Sequence, residues 1–157
     1  MGTTKTGGQT SMRRASPGMG TALLALTAAL VGVLASTNAY AVAGSYSSEA
    51  SGPVMHNRKA WYTSMHPPVG SPPRESKITT VSWRWGVSRQ DPGLEVKLCY
   101  RNANDCVSVT SYGKAVTQAF AGRPADGAFL LMYRVEGTGR MTPINGERSH
   151  VIVNYTY

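Results

Sequence analysis

Residue types that often perform catalysis are present in this sequence, but their spacing does not match a catalytic or metal-binding site. The three histidines, His56, His66 and His150, are far apart, and none has a histidine four residues away. No two of the eight acidic residues are adjacent, no G-x-S-x-G elbow surrounds a serine, and the glycines match no phosphate-binding loop. Two acids can still meet in space, as the carboxylate pair of a glycosidase does. We nevertheless expect a protein without enzyme activity, metal or cofactor.

Cys99 and Cys106 are the only cysteines, and two cysteines can form a zinc site, a redox pair or a disulfide. A zinc site needs further ligands, which the neighbouring sequence lacks. A redox pair is usually spaced C-x-x-C, whereas six residues separate these two. In an oxidising compartment, two cysteines this close form a disulfide, which stabilises a fold by about 2–3 kcal/mol.

The start of the chain has the composition of a secretory signal peptide. Residues 1–48 contain no acid and only three basic residues, and residues 22–35 are mostly Ala, Leu and Val. Two A-x-A sites follow, so we predict a signal peptide over residues 1–43, cleaved after Ala41 or Ala43. The apolar run is shorter than the roughly 20 residues that span a bilayer, which favours a cleaved signal over a retained membrane anchor.

Cleavage leaves about 115 residues, which is enough for one domain with a single core. Thirteen of the sixteen basic residues and all eight acids lie after residue 43, so this part has a net charge of +5. The basic residues are scattered rather than clustered, which favours a soluble exported protein over one that binds nucleic acid.

The pattern of residues changes at Ser76. Residues 44–76 are rich in Ser, Pro and Gly, and we interpret them as a variable, irregular segment with one short strand near residues 60–64. Later residues alternate between apolar and polar with a period of two, apart from residues 114–120, which suggest one helical turn. Residues 77–157 therefore predict an all-β domain, a small antiparallel β-sandwich or open barrel of five or six strands.

Two of these strands form a predicted hairpin that the cysteines close. In residues 94–100 the alternation places Leu94, Val96 and Leu98 inward and Cys99 outward. In the next run Cys106 also points outward, so the two sulfur atoms can meet across the strands. We predict a structural disulfide that joins the hairpin outside the core.

The tryptophans allow two interpretations. Trp83 and Trp85 share a face with Val81, which favours a place in the core. Aromatic side chains on a β-sandwich also form platforms for sugars, and Trp61 is the candidate that such a platform would use. Arg84 points away from the apolar face, so it is the second candidate binding residue.

The motifs of residues 77–155 resemble the flagellar protein FlhE family. The resemblance rests on V-S-W-R-W at residues 81–85, P-G-L-E-V-K-L-C at residues 92–99, C-V at residues 106–107, and V-N-Y at residues 153–155. Before residue 77 the resemblance is loose. The matching positions are core and disulfide positions, namely Val81, Trp83, Trp85, Leu94, Val96, Leu98, Cys99, Cys106, Val153 and Tyr155.

The resemblance implies a periplasmic accessory protein of flagellar assembly. Such a protein would limit proton leakage through the flagellar type III export apparatus, or would act as a chaperone against premature filament formation in the periplasm. The implied partners are protein components of the flagellar rod or export gate, and neither role requires catalysis. The alternative is a periplasmic glycan-binding module that binds peptidoglycan. The oligomeric state is not predicted by these residues.

Overall fold

The structure, a computed structural model, describes residues 41–157, so the predicted apolar run and most of the predicted signal peptide lie outside the described residues. Within that range, no helix is long and apolar enough to cross a membrane. The described chain forms ten strands: β1 (Ala43–Ala50), β2 (Val54–Met55), β3 (Tyr62–His66), β4 (Lys77–Arg84), β5 (Leu94–Tyr100), β6 (Cys106–Ser108), β7 (Lys114–Thr117), β8 (Phe129–Val135), β9 (Ile144–Asn145) and β10 (Ser149–Thr156).

Eight of the strands form two antiparallel sheets. The first sheet has the order β1–β10–β4–β7 and the second has the order β3–β8–β5–β6, while β2 and β9 pair separately. Apolar side chains from both four-stranded sheets form one buried cluster between them. The predicted all-β sandwich class is therefore confirmed, although the predicted count of five or six strands was too low.

Alternation of side chains accounts for the strands that contribute most to the core. In β5 and β8, every second side chain is buried against the other sheet, as period-two patterning requires. β8 lies between β3 and β5, so it is a central strand of the second sheet. The helical turn predicted at residues 114–120 was wrong, because residues 114–117 form β7 and pair with β4.

The segment before residue 77 is more regular than predicted. It contributes three strands rather than one, and β1 pairs with β10 along its whole length. Arg58 anchors the loop after β2, since its guanidinium lies 3.2 Å from the Asp91 carboxylate and donates to the Glu136 carbonyl at 2.6 Å. The pKa of Asp91 is lowered by a hydrogen bond from the Gly93 N–H and by Arg58. Ser, Pro and Gly here limit side-chain bulk without preventing strand pairing.

A buried histidine links the two sheets. His66 of β3 is fully buried, with Nδ1 at 3.1 Å from the Ser48 carbonyl and Nε2 at 3.1 Å from Ser149 Oγ. A neutral ring with its hydrogen on Nδ1 donates to the Ser48 carbonyl, and its Nε2 shares the single hydroxyl hydrogen of Ser149 with the Ala50 carbonyl, which lies 3.2 Å from the same oxygen. Ser48 and Ser149 belong to the first sheet, so this imidazole holds the sheets together by polar contacts inside the core.

Candidate functional site

The register of the first sheet places four polar side chains in one row on its outer face. Glu49 of β1 is the strand partner of His150 of β10, His150 is the partner of Arg84 of β4, and Arg84 is the partner of Lys114 of β7. Each projects outward, because its neighbours along the strand face the core. We call these four residues the charged rung.

Hydrogen bonds order the acidic half of the charged rung. His150 Nδ1 lies 3.2 Å from a carboxylate oxygen of Glu49, and Arg148 Nη1 lies 3.3 Å from the other oxygen. On its far side, His150 Nε2 lies 3.1 Å from Nη2 of Arg84. A neutral imidazole with its hydrogen on Nδ1 donates to Glu49 and accepts from the guanidinium. The ring thereby fixes the position of Arg84.

The basic half of the charged rung remains without carboxylate partners. Arg84 and Lys114 are both exposed, and neither forms an ion pair within the described residues. We call this pair the cationic corner. Two open clefts of about 380 and 480 Å³ meet at Arg84. Ser82, Trp83, His150 and Ile152 complete the first cleft, and Trp85, Ser111, Tyr112, Gly113 and Lys114 complete the second.

Trp61, the other candidate binding residue, lies on the opposite side of the molecule. Its ring is on the outer face of the second sheet, with the Arg134 guanidinium 4.5 Å and Lys97 Nζ 4.9 Å from its centroid. The side chain is 36% exposed. The structure therefore does not bring Trp61 and Arg84 together, and a single site cannot use both residues.

Ion pairs satisfy the charges around Trp61. The Glu95 carboxylate lies 2.9 Å from Lys97 Nζ and 2.6 Å from Arg134 Nη2, and Arg134 also contacts Glu136 at 2.7 Å. Hydrogen bonds from Lys97 and Arg134 lower the pKa of Glu95, which keeps the carboxylate ionised. This face therefore presents compensated charge, in contrast to the cationic corner.

The remaining two tryptophans are in the core. Trp83 is 8% exposed and Trp85 is 7% exposed, and their indole N–H groups donate to the carbonyls of Tyr112 and Val109. Neither ring offers a flat face to a sugar. Other motif positions are also buried or packed against the buried cluster, namely Val81, Leu94, Val96, Leu98, Val153 and Tyr155.

The disulfide forms between the predicted cysteines. Cys99 of β5 and Cys106 of β6 are direct strand partners and are bonded to each other. The prediction that the bridge lies outside the core needs one correction, because Cys99 is fully buried. The Met132 sulfur lies 3.6 Å from Cys99 Sγ and covers it from the outer face of the sheet. The bridge is therefore a structural link that is largely shielded from solvent.

Nothing in the arrangement of described residues resembles a catalytic centre. No group of three or more His, Cys, Asp or Glu side chains within residues 41–157 is placed to hold a metal ion. Ser149 and His66 are hydrogen-bonded, but both are fully buried, so a substrate cannot reach the hydroxyl.

Lys114, His150 and His66 are the residues whose roles sequence reasoning missed. His66 lies in a segment interpreted as irregular, and His150 was considered only as one of three histidines that are far apart in the sequence. Lys114 lies in the stretch interpreted as a helical turn. Their contacts depend on which strands are neighbours, and strand order was not predicted. The alternation in residues 62–66 was the one signal that could have placed His66 inward.

Comparisons with known proteins agree on one family. The family model described as flagellar protein FlhE matches residues 52–156. The flagellar protein FlhE of Salmonella typhimurium (strain LT2) is 33% identical over 104 residues, covering 65% of this chain and 78% of that protein, and the protein of the same name from Salmonella typhi gives the same values. A crystal structure of FlhE superposes with a TM-score of 0.64 at 26% identity, covering 73% of this chain and 98% of that one.

Proposed function

Because this chain belongs to the FlhE family of flagellar proteins, we propose that it is an exported accessory of flagellar assembly that acts by binding rather than by catalysis. The observation that carries this proposal is the family match over residues 52–156, which spans most of the sandwich. The match includes the second sheet, the disulfide and the cationic corner, and it begins after β1.

The proposed role has two forms, and both take place in the periplasm. In the first, the protein binds the flagellar type III export apparatus and limits proton leakage through it. In the second, it binds rod or filament components as a chaperone and prevents premature filament formation. Both forms need an exposed binding surface, and neither needs the buried Ser149 hydroxyl or the buried His66 ring.

An open sheet edge supports a binding role. Val42 and Tyr157 exchange both backbone hydrogen bonds, at 2.9 and 3.0 Å. The antiparallel alternation then directs the N–H and C=O groups of Ala43, Ser45, Ser47 and Glu49 away from β10. β1 has eight residues and no proline, whereas the other outer strands, β3, β6 and β7, have five, three and four. Such an edge can accept an extended segment of a partner by strand addition.

Proline at Ser47 tests strand addition, with Ser47→Ala as the control. Proline removes a donor that faces away from β10, so we expect the fold to persist while partner binding is lost. Folding would be followed by circular dichroism, and binding by copurification of rod and export-gate proteins from the native host. Unchanged copurification with Ser47→Pro would show that this edge is not used.

The role itself is tested in the native flagellated host by deleting the gene. Cytoplasmic pH is followed after an external acid step, and periplasmic filaments are counted by microscopy in the same cells. Acidification that the gene reverses supports the sealing form, and misplaced filaments that the gene removes support the chaperone form. Intact motility with neither defect would overturn the proposal and favour peptidoglycan binding through Trp61, which a pull-down with Trp61→Ala would then examine.

A further inference from the structure

We propose that the cationic corner, Arg84 and Lys114, binds an acidic, extended segment of a partner protein that lies along the outer face of the first sheet. This inference rests on the proposed binding role, but it does not depend on strand addition at β1. The partner segment is defined by its chemistry, which is a carboxylate followed two residues later by an apolar side chain.

Charge is the first argument. Arg84 and Lys114 are direct strand partners, so their side chains start about 5 Å apart, and like charges placed in this way destabilise a sheet. Glu49, the acid on the same rung, already contacts Arg148 and His150. A carboxylate supplied by a partner would lie between the two cations and would relieve their repulsion.

Preorganisation is the second argument. Arg84 donates one hydrogen bond to His150 Nε2, and His150 is held in turn by Glu49. The guanidinium has five N–H donors in a planar fork, so four of them are not used by His150, and the side chain lines both clefts. A side chain that is already positioned loses less conformational entropy when it binds a carboxylate.

The adjacent row of side chains is the third argument. The next row on the same outer face lies two residues along the strands from the charged rung and consists of Ile152, Ser82 and Val116. Ile152 and Val116, on either side of Ser82, are 41% and 62% exposed. Rows two residues apart on a strand are separated by about 6.8 Å, which is also the distance between residues i and i+2 of an extended peptide. A segment parallel to the strands can therefore place a carboxylate on the cationic corner and an apolar side chain against Ile152 and Val116.

The first of the two clefts is poorly suited to a sugar. Carbohydrate platforms need the face of an exposed aromatic ring, and the indole that lines the first cleft belongs to Trp83, which is 8% exposed. Its N–H is already donated to the Tyr112 carbonyl. The second cleft has one exposed ring, Tyr112 at 67% exposure, so the two cations, rather than a lack of aromatic surface, assign the corner to an acidic peptide and not to peptidoglycan.

The test uses the protein as its host produces it, with a fluorescein-labelled repeat of Glu-Thr-Val-Thr as the probe and the matching Gln-Thr-Val-Thr repeat as the control. We expect the acidic peptide to bind in an anisotropy titration, with affinity that falls as salt rises. Arg84→Gln and Lys114→Gln should each weaken binding about five-fold, the loss of one partly exposed ion pair. Arg140→Gln, which removes an exposed cation elsewhere, should leave binding unchanged.

Several results would overturn the inference. The first is that the acidic peptide does not bind, and the second is that the Gln peptide binds with the same affinity as the acidic peptide. The third is that the Arg84, Lys114 and Arg140 variants lose the same amount of affinity. The fourth is that the protein binds purified peptidoglycan instead of the peptide, and that this binding depends on Arg84. Melting curves establish that each variant is folded. The deletion strain separates this inference from the proposed function. If the strain shows the filament or pH defect but the purified protein does not bind the peptide, the proposed function stands and only the inference about the cationic corner is overturned.

Discussion

The two outer faces of the sandwich contain similar residue types in different electrostatic states. On the second sheet, Glu95 contacts both Lys97 and Arg134, and these cations cover Trp61. On the first sheet, the only acid on the charged rung is at the β1 end, and the cationic corner at the β7 end has no carboxylate partner within the described residues.

This difference shows that a list of charged residues does not identify a binding surface. The residues after position 43 have a net charge of +5, and the basic residues are scattered along the sequence. Strand register decides which of them meet an acid. Compensated cations contribute little to the attraction of a partner, whereas Arg84 and Lys114 keep their charge available.

The largest expected effect is the difference in stability lost when a core tryptophan and the tryptophan on the second face are each replaced. Trp85 packs edge to face on Tyr133 of the opposite sheet, with centroids 6.2 Å apart, so Trp85→Ala should cost about 3–5 kcal/mol of unfolding free energy. Trp61→Ala removes a partly exposed ring and two cation–π contacts, and should cost about 1–2 kcal/mol. Urea denaturation of both variants measures this contrast, and equal costs would mean that Trp61 belongs to the core.

The disulfide should stabilise the second sheet without affecting the cationic corner. Replacing Cys99 and Cys106 together by serine opens a loop with a sequence separation of 7, which predicts a loss of about 2.5 kcal/mol. Chemical denaturation gives the loss, and the Glu-Thr-Val-Thr titration reports on the corner. Lost peptide binding in a protein that is still folded would show that the two faces are coupled, contrary to this view.

A pH effect should arise from the contact between the sheets. Burial lowers the pKa of His66 below its ordinary value of 6.5, so the fold favours the neutral ring. This contribution to stability is complete above about pH 6.5 and is lost as pH falls through the pKa of the folded state. Asp91 and Glu95, with lowered carboxylate pKa values, lose their contributions only below their ordinary values of 3.8 and 4.5.

Melting temperatures between pH 7.5 and pH 5 measure the histidine contribution, with His66→Gln as the comparison. The wild type should lose stability over this range, while the variant, although less stable at pH 7.5, should change less. Parallel curves would show that another group titrates.

The smallest expected effect on stability comes from Glu95→Gln. Loss of two partly exposed ion pairs should cost less than about 1 kcal/mol. Lys97 would then have no carboxylate partner, so the second face should become able to bind the acidic peptide. Calorimetric titration should show more peptide bound per protein than in wild type. Unchanged stoichiometry would mean that cations without a carboxylate partner are not sufficient for peptide binding, and that the first sheet contributes something more.

Sequence patterns were most successful where one face of a strand is uniformly apolar. The predicted run at residues 94–100 coincides with β5, and the pairing of Cys99 with Cys106 followed from its alternation. The predicted family was equally accessible, since its motifs are the core residues themselves. Local periodicity reports burial directly, so these features could be read without knowing the strand order.

Features that depend on partners far away in sequence were not predicted. β1 contains three serines, one glutamate and few apolar residues, and only its pairing with β10 makes it a strand. The charged rung joins residues 49, 84, 114 and 150, whose proximity follows from sheet topology alone. The identity of Arg84 as an outward residue was predicted, but its uncompensated charge was not.

The position of β10 has a consequence for how the chain reaches this fold. β10 separates β1 from β4 in the first sheet, yet it is the last strand in sequence, so β1 has no neighbour until residues 149–156 have been synthesised. Topologies dominated by such distant pairings fold slowly, on a scale of milliseconds to seconds. The first sheet can thus be completed only after the final strand is available, which is compatible with the export that we propose for this chain.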